Sequence, residues 1–89
     1  WLYNNLVIAA LTVNNAITVP DVEDFVTHGL AIIPPELNTT ELTLKGINAD
    51  TGITLSANRV SVFQFGSTPP ASIVLNVSDD VDGVRLIWF

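Results

Sequence analysis

Short apolar segments recur along the chain at intervals of about ten residues, separated by Asn, Asp, Gly, Ser and Pro. That rhythm is the pattern of an all-β sandwich or barrel. Residues 40–47 alternate, with Leu42 and Leu44 on one face and Thr43 and Lys45 on the other, as a half-buried strand does. The segment Asn48-Ala49-Asp50-Thr51-Gly52 tolerates positive φ and predicts a hairpin loop. Ile53, Leu55 and Ala57 then continue the core face on the returning strand. In residues 72–78 Ile73, Leu75 and Val77 point one way. Between residues 60 and 65 the parity breaks: Val60 and Val62 share one face, Phe63 and Phe65 the other. A turn or bulge at Asn58-Arg59 accounts for the switch. Residues 6–13 and 16–19 read as strands separated by Asn14-Asn15. Residues 30–33 are stopped by Pro34-Pro35, and residues 84–89 follow an acidic turn.

One segment departs from this pattern. Pro20 suits a first helical position, and Asp21, Glu23 and Asp24 suit the positive end of a helix dipole. Val22, Phe25 and Val26 form an i, i+3, i+4 stripe, His28 falls in the last turn and Gly29 follows as a cap. The expectation is a small all-β Greek-key sandwich, Ig-like or jelly-roll-like, of about seven strands. One short helix near residues 20–28 covers an open end. Residues 1–89 form a single domain, with no linker or internal repeat.

Composition sharpens the reading. A chain of 89 residues buries only roughly 60–65% of its unfolded surface, and its net stability is about 4–13 kcal/mol. The sequence has no cysteine and one histidine, so disulfides and Cys/His zinc sites are unavailable as reinforcement, and oligomerisation is the remaining common remedy. Hydrophobic residues make up 48% and charged residues 13%, about half the usual charged share. Lys45, Arg59 and Arg85 are the only cations, and the net charge is −6. That balance excludes nucleic acid and anionic lipid as partners. No apolar run reaches the ~18 residues of a spanning helix. Abundant Thr, Asn and Val beside a single Lys suit an extracellular protein. Trp1, with neither Met nor a basic residue before the apolar run, reads as a processed terminus or a fragment boundary.

The apolar ends carry the functional argument. In residues 6–13 one face shows Leu6, Ile8 and Ala10, the other Val7, Ala9, Leu11 and Val13. Both are apolar, whereas a sandwich strand normally shows one face to water. The last strand repeats this, with Val84, Leu86 and Trp88 against Ile87 and Phe89. Burying six or seven such side chains contributes on the order of 10–15 kcal/mol gross, comparable with the whole stability of the domain. The expectation is that a second copy shelters them. Leu6, Val7, Ile8, Leu11, Val13, Leu86, Ile87, Trp88 and Phe89 are the interface residues. Residues 1–13 act as a donor strand of about 26 Å for the next subunit, or else the strand stays home and its outer face meets a symmetry mate.

Other chemistry is thin. Asp79, Asp80 and Asp82 in Ser78–Gly83 resemble part of a calcium loop, but Phe89 stands where an EF-hand needs a carboxylate; a solvated turn is the better reading. His28 lacks any G-x-S-x-G serine, and Asp21, Glu23 and Asp24 read as a helix cap rather than a catalytic carboxylate pair. Asn38-Thr39-Thr40 and Asn76-Val77-Ser78 are N-glycosylation sequons. Trp1, Tyr3, Phe63, Phe65 and Trp88 could supply a sugar-stacking platform, although aromatics in small β domains are mostly core. Together these features predict a non-enzymatic extracellular structural subunit without cofactors that polymerises with itself through β-strand addition. The alternatives are a glycan-binding or adhesive module and a viral coat or decoration subunit.

Overall fold

The computed structural model describes residues 6–22 and 25–89. Its strands are β1 (Leu6–Leu11), β2 (Asn15–Thr18), β3 (Asp21–Val22), β4 (Phe25–Val26), β5 (Gly29–Ile33), β6 (Leu42–Lys45), β7 (Ile53–Leu55), β8 (Ser61–Gln64), β9 (Ser72–Val77) and β10 (Val81–Trp88). Eight of them form two four-stranded sheets, in the orders β1-β10-β5-β8 and β2-β9-β6-β7. All pairings are antiparallel. The sheets pack as a sandwich, and β3 and β4 form a separate two-stranded ribbon.

Alternation fills the interior from both sides. Leu11, Leu30, Ile32, Leu86 and Trp88 of one sheet, each about 1% exposed or less, meet Leu42, Leu55, Ile73, Leu75 and Val77 of the other. The predicted strands at 40–47, 72–78 and 84–89 are present, with the inward residues read from their periodicity. The hairpin through residues 48–52 joins β6 to β7, pairing Leu42 with Leu55 and Leu44 with Ile53.

Residues 20–28 are not a helix. Asp21–Val22 and Phe25–Val26 pair as antiparallel strands, Asp21 with Val26 and Val22 with Phe25. Thr27, 2% exposed, donates its hydroxyl to the Pro20 carbonyl at 2.8 Å. Seven helical residues would separate those positions by about 10 Å, so this buried hydrogen bond requires the chain to fold back. Local helix signals lose here to a tertiary tie and to β-branched Val22, Val26 and Thr27.

The parity switch near residues 58–59 is a turn and not a bulge: the chain bends at residues 57–59 and crosses the sandwich, because β7 and β8 belong to different sheets. A bulge does occur elsewhere. Ala9 opposes Val84 and Leu11 opposes Val81, so β10 carries an extra residue, accommodated by Gly83 at φ +82°.

The carboxyl end is tied down. The Phe89 carbonyl accepts hydrogen bonds from the backbone N–H groups of His28 and Gly29, and the Phe89 N–H donates to the Gly29 carbonyl at 3.1 Å. Gly29 permits this approach: a Cβ there would stand 2.3 Å from the Phe89 ring and 2.4 Å from the Phe63 carbonyl oxygen.

Candidate functional site: the β1 edge and the two outer faces

Among the described residues β1 is an edge strand, paired only to β10 within its sheet. Its sequence LVIAAL has no charge and no proline, whereas edge strands are usually guarded by one or the other. At six residues it is the longest of the four sheet-edge strands; β2 and β8 have four and β7 has three.

A short corner carries β1 into the rest of the domain. Thr12, Val13 and Asn14 take the chain from one sheet to the other. Asn14 adopts φ +51°, a left-handed conformation that Asn tolerates better than most residues. Its N–H donates to Asn76 Oδ1 at 2.9 Å, and its own Oδ1 accepts from Lys45 Nζ at 3.1 Å. Asn15 Nδ2 donates to the Thr12 carbonyl, closing the turn.

The predicted interface residues divide into separate environments. Leu11, Leu86 and Trp88 are fully buried in the domain's own core, because β10 is an interior strand and its even positions face the opposite sheet. Within one copy they pack against the opposite sheet. Ile87 and Phe89 are half-buried, and Val13 is 63% exposed. Leu6, Val7 and Ile8 stand in register with Ile87, Leu86 and Arg85.

The two outer faces differ in chemistry. On the β1-β10-β5-β8 sheet, Ile87 lies opposite Ala31, which lies opposite Val62, and Arg85 lies opposite Ile33. On the other sheet the outward positions include Thr18, Thr43, Lys45, Thr54, Ser72 and Asn76. This second face shows the polar alternation expected of a wetted sheet. The first does not.

The remaining candidates are dispersed. Asp79, Asp80 and Asp82 are exposed, and among the described residues no three His, Asp or Glu side chains come together as a metal-ligand group. His28 is exposed, and its backbone joins Phe89 and Phe65. Asp21 lies in β3, while Glu23 and Asp24, like Trp1 and Tyr3, fall outside the described residues. Phe63 and Phe65 are half-buried against the core and Trp88 is enclosed, so these three do not form an open stacking platform.

At one end of the sandwich, a groove of about 570 Å³ is floored by Leu44, Ile53, Phe65 and Ile73, with Lys45 and Asp50 at its margin. Both margin charges are already engaged. Asp50 Oδ2 accepts the Gly46 and Ile47 N–H groups at 3.0 and 3.1 Å, and Lys45 Nζ holds Asn14 Oδ1 and the Asn48 carbonyl. A second cavity of about 400 Å³ is bordered by Val19, Pro20, Val26, Thr27 and Pro70.

The sequons have unequal geometry. Asn38 Nδ2 donates to the carbonyls of Thr40 and Ala57 at 2.7 and 2.6 Å, bridging two loops. Asn76 contributes Oδ1 to the corner and presents its side chain from the outer face of β9. Asn38→Ala is expected to cost about 1–3 kcal/mol, since it strands the Ala57 and Thr40 carbonyls; urea denaturation measures this as a lower midpoint with unchanged slope.

Compared with models of protein families, with curated proteins and with solved structures, the chain matches none. Its functional reading therefore rests on the geometry above.

Proposed function

We propose that this chain is a non-enzymatic, extracellular structural subunit whose copies assemble into a filament or other surface polymer by inter-subunit β-strand addition. The carrying observation is β1, the longest edge strand of the sandwich, which is uncharged along its whole length. In the proposed assembly β1 of one copy occupies the place beside β10 of the next. Exchange preserves each native β1–β10 contact, so its free-energy cost is confined to straightening residues 12–14 and to association entropy. Reciprocal exchange closes a dimer, while head-to-tail exchange continues indefinitely. Asn76, on an outer face, is the sequon suited to carry a glycan.

A second reading has its own observation. The sheet orders β1-β10-β5-β8 and β2-β9-β6-β7 correspond to the wiring of an eight-stranded jelly roll, with β3–β4 as an insertion. Viral capsid and lectin domains use this architecture. It favours a coat or decoration subunit in a closed shell, with β1 retained at home. Negative-stain microscopy of the concentrated native protein separates the two. Filaments support strand donation, closed particles support the shell, and a field of single copies contradicts both.

A further inference from the structure

We infer that Asn76 and Lys45 latch the corner at Asn14, and that this latch sets how readily β1 leaves its own β10. Exchange of β1 must straighten residues 12–14, the link between β1 and β2. Two interior strands of the opposite sheet hold that link closed. Asn76 on β9 accepts the Asn14 N–H at 2.9 Å, and Lys45 on β6 donates to Asn14 Oδ1 at 3.1 Å. These partners lie 62 and 31 residues away in sequence, so they tie the corner to the body of the domain. The local ties are separate: Thr12 Oγ1 donates to Asn15 Oδ1 at 3.1 Å, and Asn15 Nδ2 donates to the Thr12 carbonyl.

Two opposed contributions meet at this corner. Asn14 at φ +51° occupies a backbone region that crowds the Cβ of an L-residue, and straightening relieves that strain. The hydrogen bonds from β9 and β6 resist it, and the one from Lys45 is charge-assisted. A short hinge under strain favours exchange between copies, so the two bonds to Asn14 are what hold β1 at home. The Lys45 ammonium is directed here at neutral oxygens, Asn14 Oδ1 and the Asn48 carbonyl at 3.3 Å. A charged acceptor at position 14 therefore tightens the latch, and loss of the ammonium loosens it.

The latch regulates the proposed strand donation and rests on that reading for its consequence, but its test uses dilute, single-copy protein. Native-state hydrogen exchange of the β1 amides measures how often the strand opens. Lys45→Met keeps a long stem and removes the donor; it is expected to speed β1 exchange about three- to tenfold, the effect of one lost hydrogen bond. Asn14→Asp keeps a side chain that tolerates the left-handed region and is expected to slow β1 exchange about twofold or more. Asn38→Ala, which breaks a bridge between other loops, lowers overall stability and is expected to leave β1 exchange unchanged. Unchanged β1 rates in Lys45→Met overturn the inference, as does an equal acceleration by Asn38→Ala, which would mean that β1 opens with the whole domain. Strand donation further predicts faster polymer growth in Lys45→Met, read by light scattering. If the β1 rates change as expected and no protein polymerises, donation fails and the latch stands.

Discussion

Trp88→Ala is expected to lower the stability of the domain by about 3–5 kcal/mol, the range for removing a buried aromatic. Trp88 is 1% exposed and stands on β10 opposite Leu30, where it closes the core beside the bonds that hold Phe89 to Gly29. Against a total of about 4–13 kcal/mol, this loss unfolds a large fraction of the chains. At roughly 4–8 °C per kcal/mol for a domain of this size, the melting temperature falls by about 12–40 °C. Thermal unfolding followed by circular dichroism measures it. The residue was expected at a contact between copies, so the alternative outcome is specific: an unchanged melting curve with lost assembly would return Trp88 to the interface.

The second large effect is all-or-none. Oxidising the Ala9→Cys/Val84→Cys pair in dilute, single-copy protein is expected to abolish later polymer formation, and reduction to restore it. The two positions are in direct register, and Val84 is fully buried, so the bridge captures strand pairing rather than surface collision. The native chain has no cysteine to interfere. Light scattering before and after reductant reads the outcome. Polymer that grows equally well with β1 pinned would favour the shell arrangement, in which β1 never leaves.

Much of the sandwich was legible in residue order. Leu42, Leu44, Ile73, Leu75 and Val77 betray their inward face by alternation, because one side of each strand meets the opposite sheet. Three features were not legible, each for a non-local reason. The buried Thr27–Pro20 hydrogen bond reverses a segment whose local signals are helical. The crossing from β7 to β8 reads equally as a turn or a bulge, because parity records a change of facing but not which sheet receives the strand. Leu86 and Trp88 looked surplus because β10 carries apolar residues on both faces; its interior position between β1 and β5 gives the even residues a core of their own.

The candidate site was only half visible for the same reason. The apolar character of β1 is plain in its letters, but its exposure as a sheet edge depends on topology. The row of Ile87, Ala31 and Val62 joins residues from three distant segments. No periodicity along one strand could assemble that row. Asn14, Asn76 and Lys45 likewise meet only at the corner between sheets.

The most direct measurement mixes two single-cysteine proteins, Ala9→Cys and Val84→Cys, under oxidising conditions after co-refolding, and resolves the products by mass. Strand donation predicts an abundant mixed covalent pair joining the two positions, well above either self-linked product. If β1 always pairs with the β10 of its own chain, the two cysteines never meet across copies, the mixed pair is absent, and the account is contradicted.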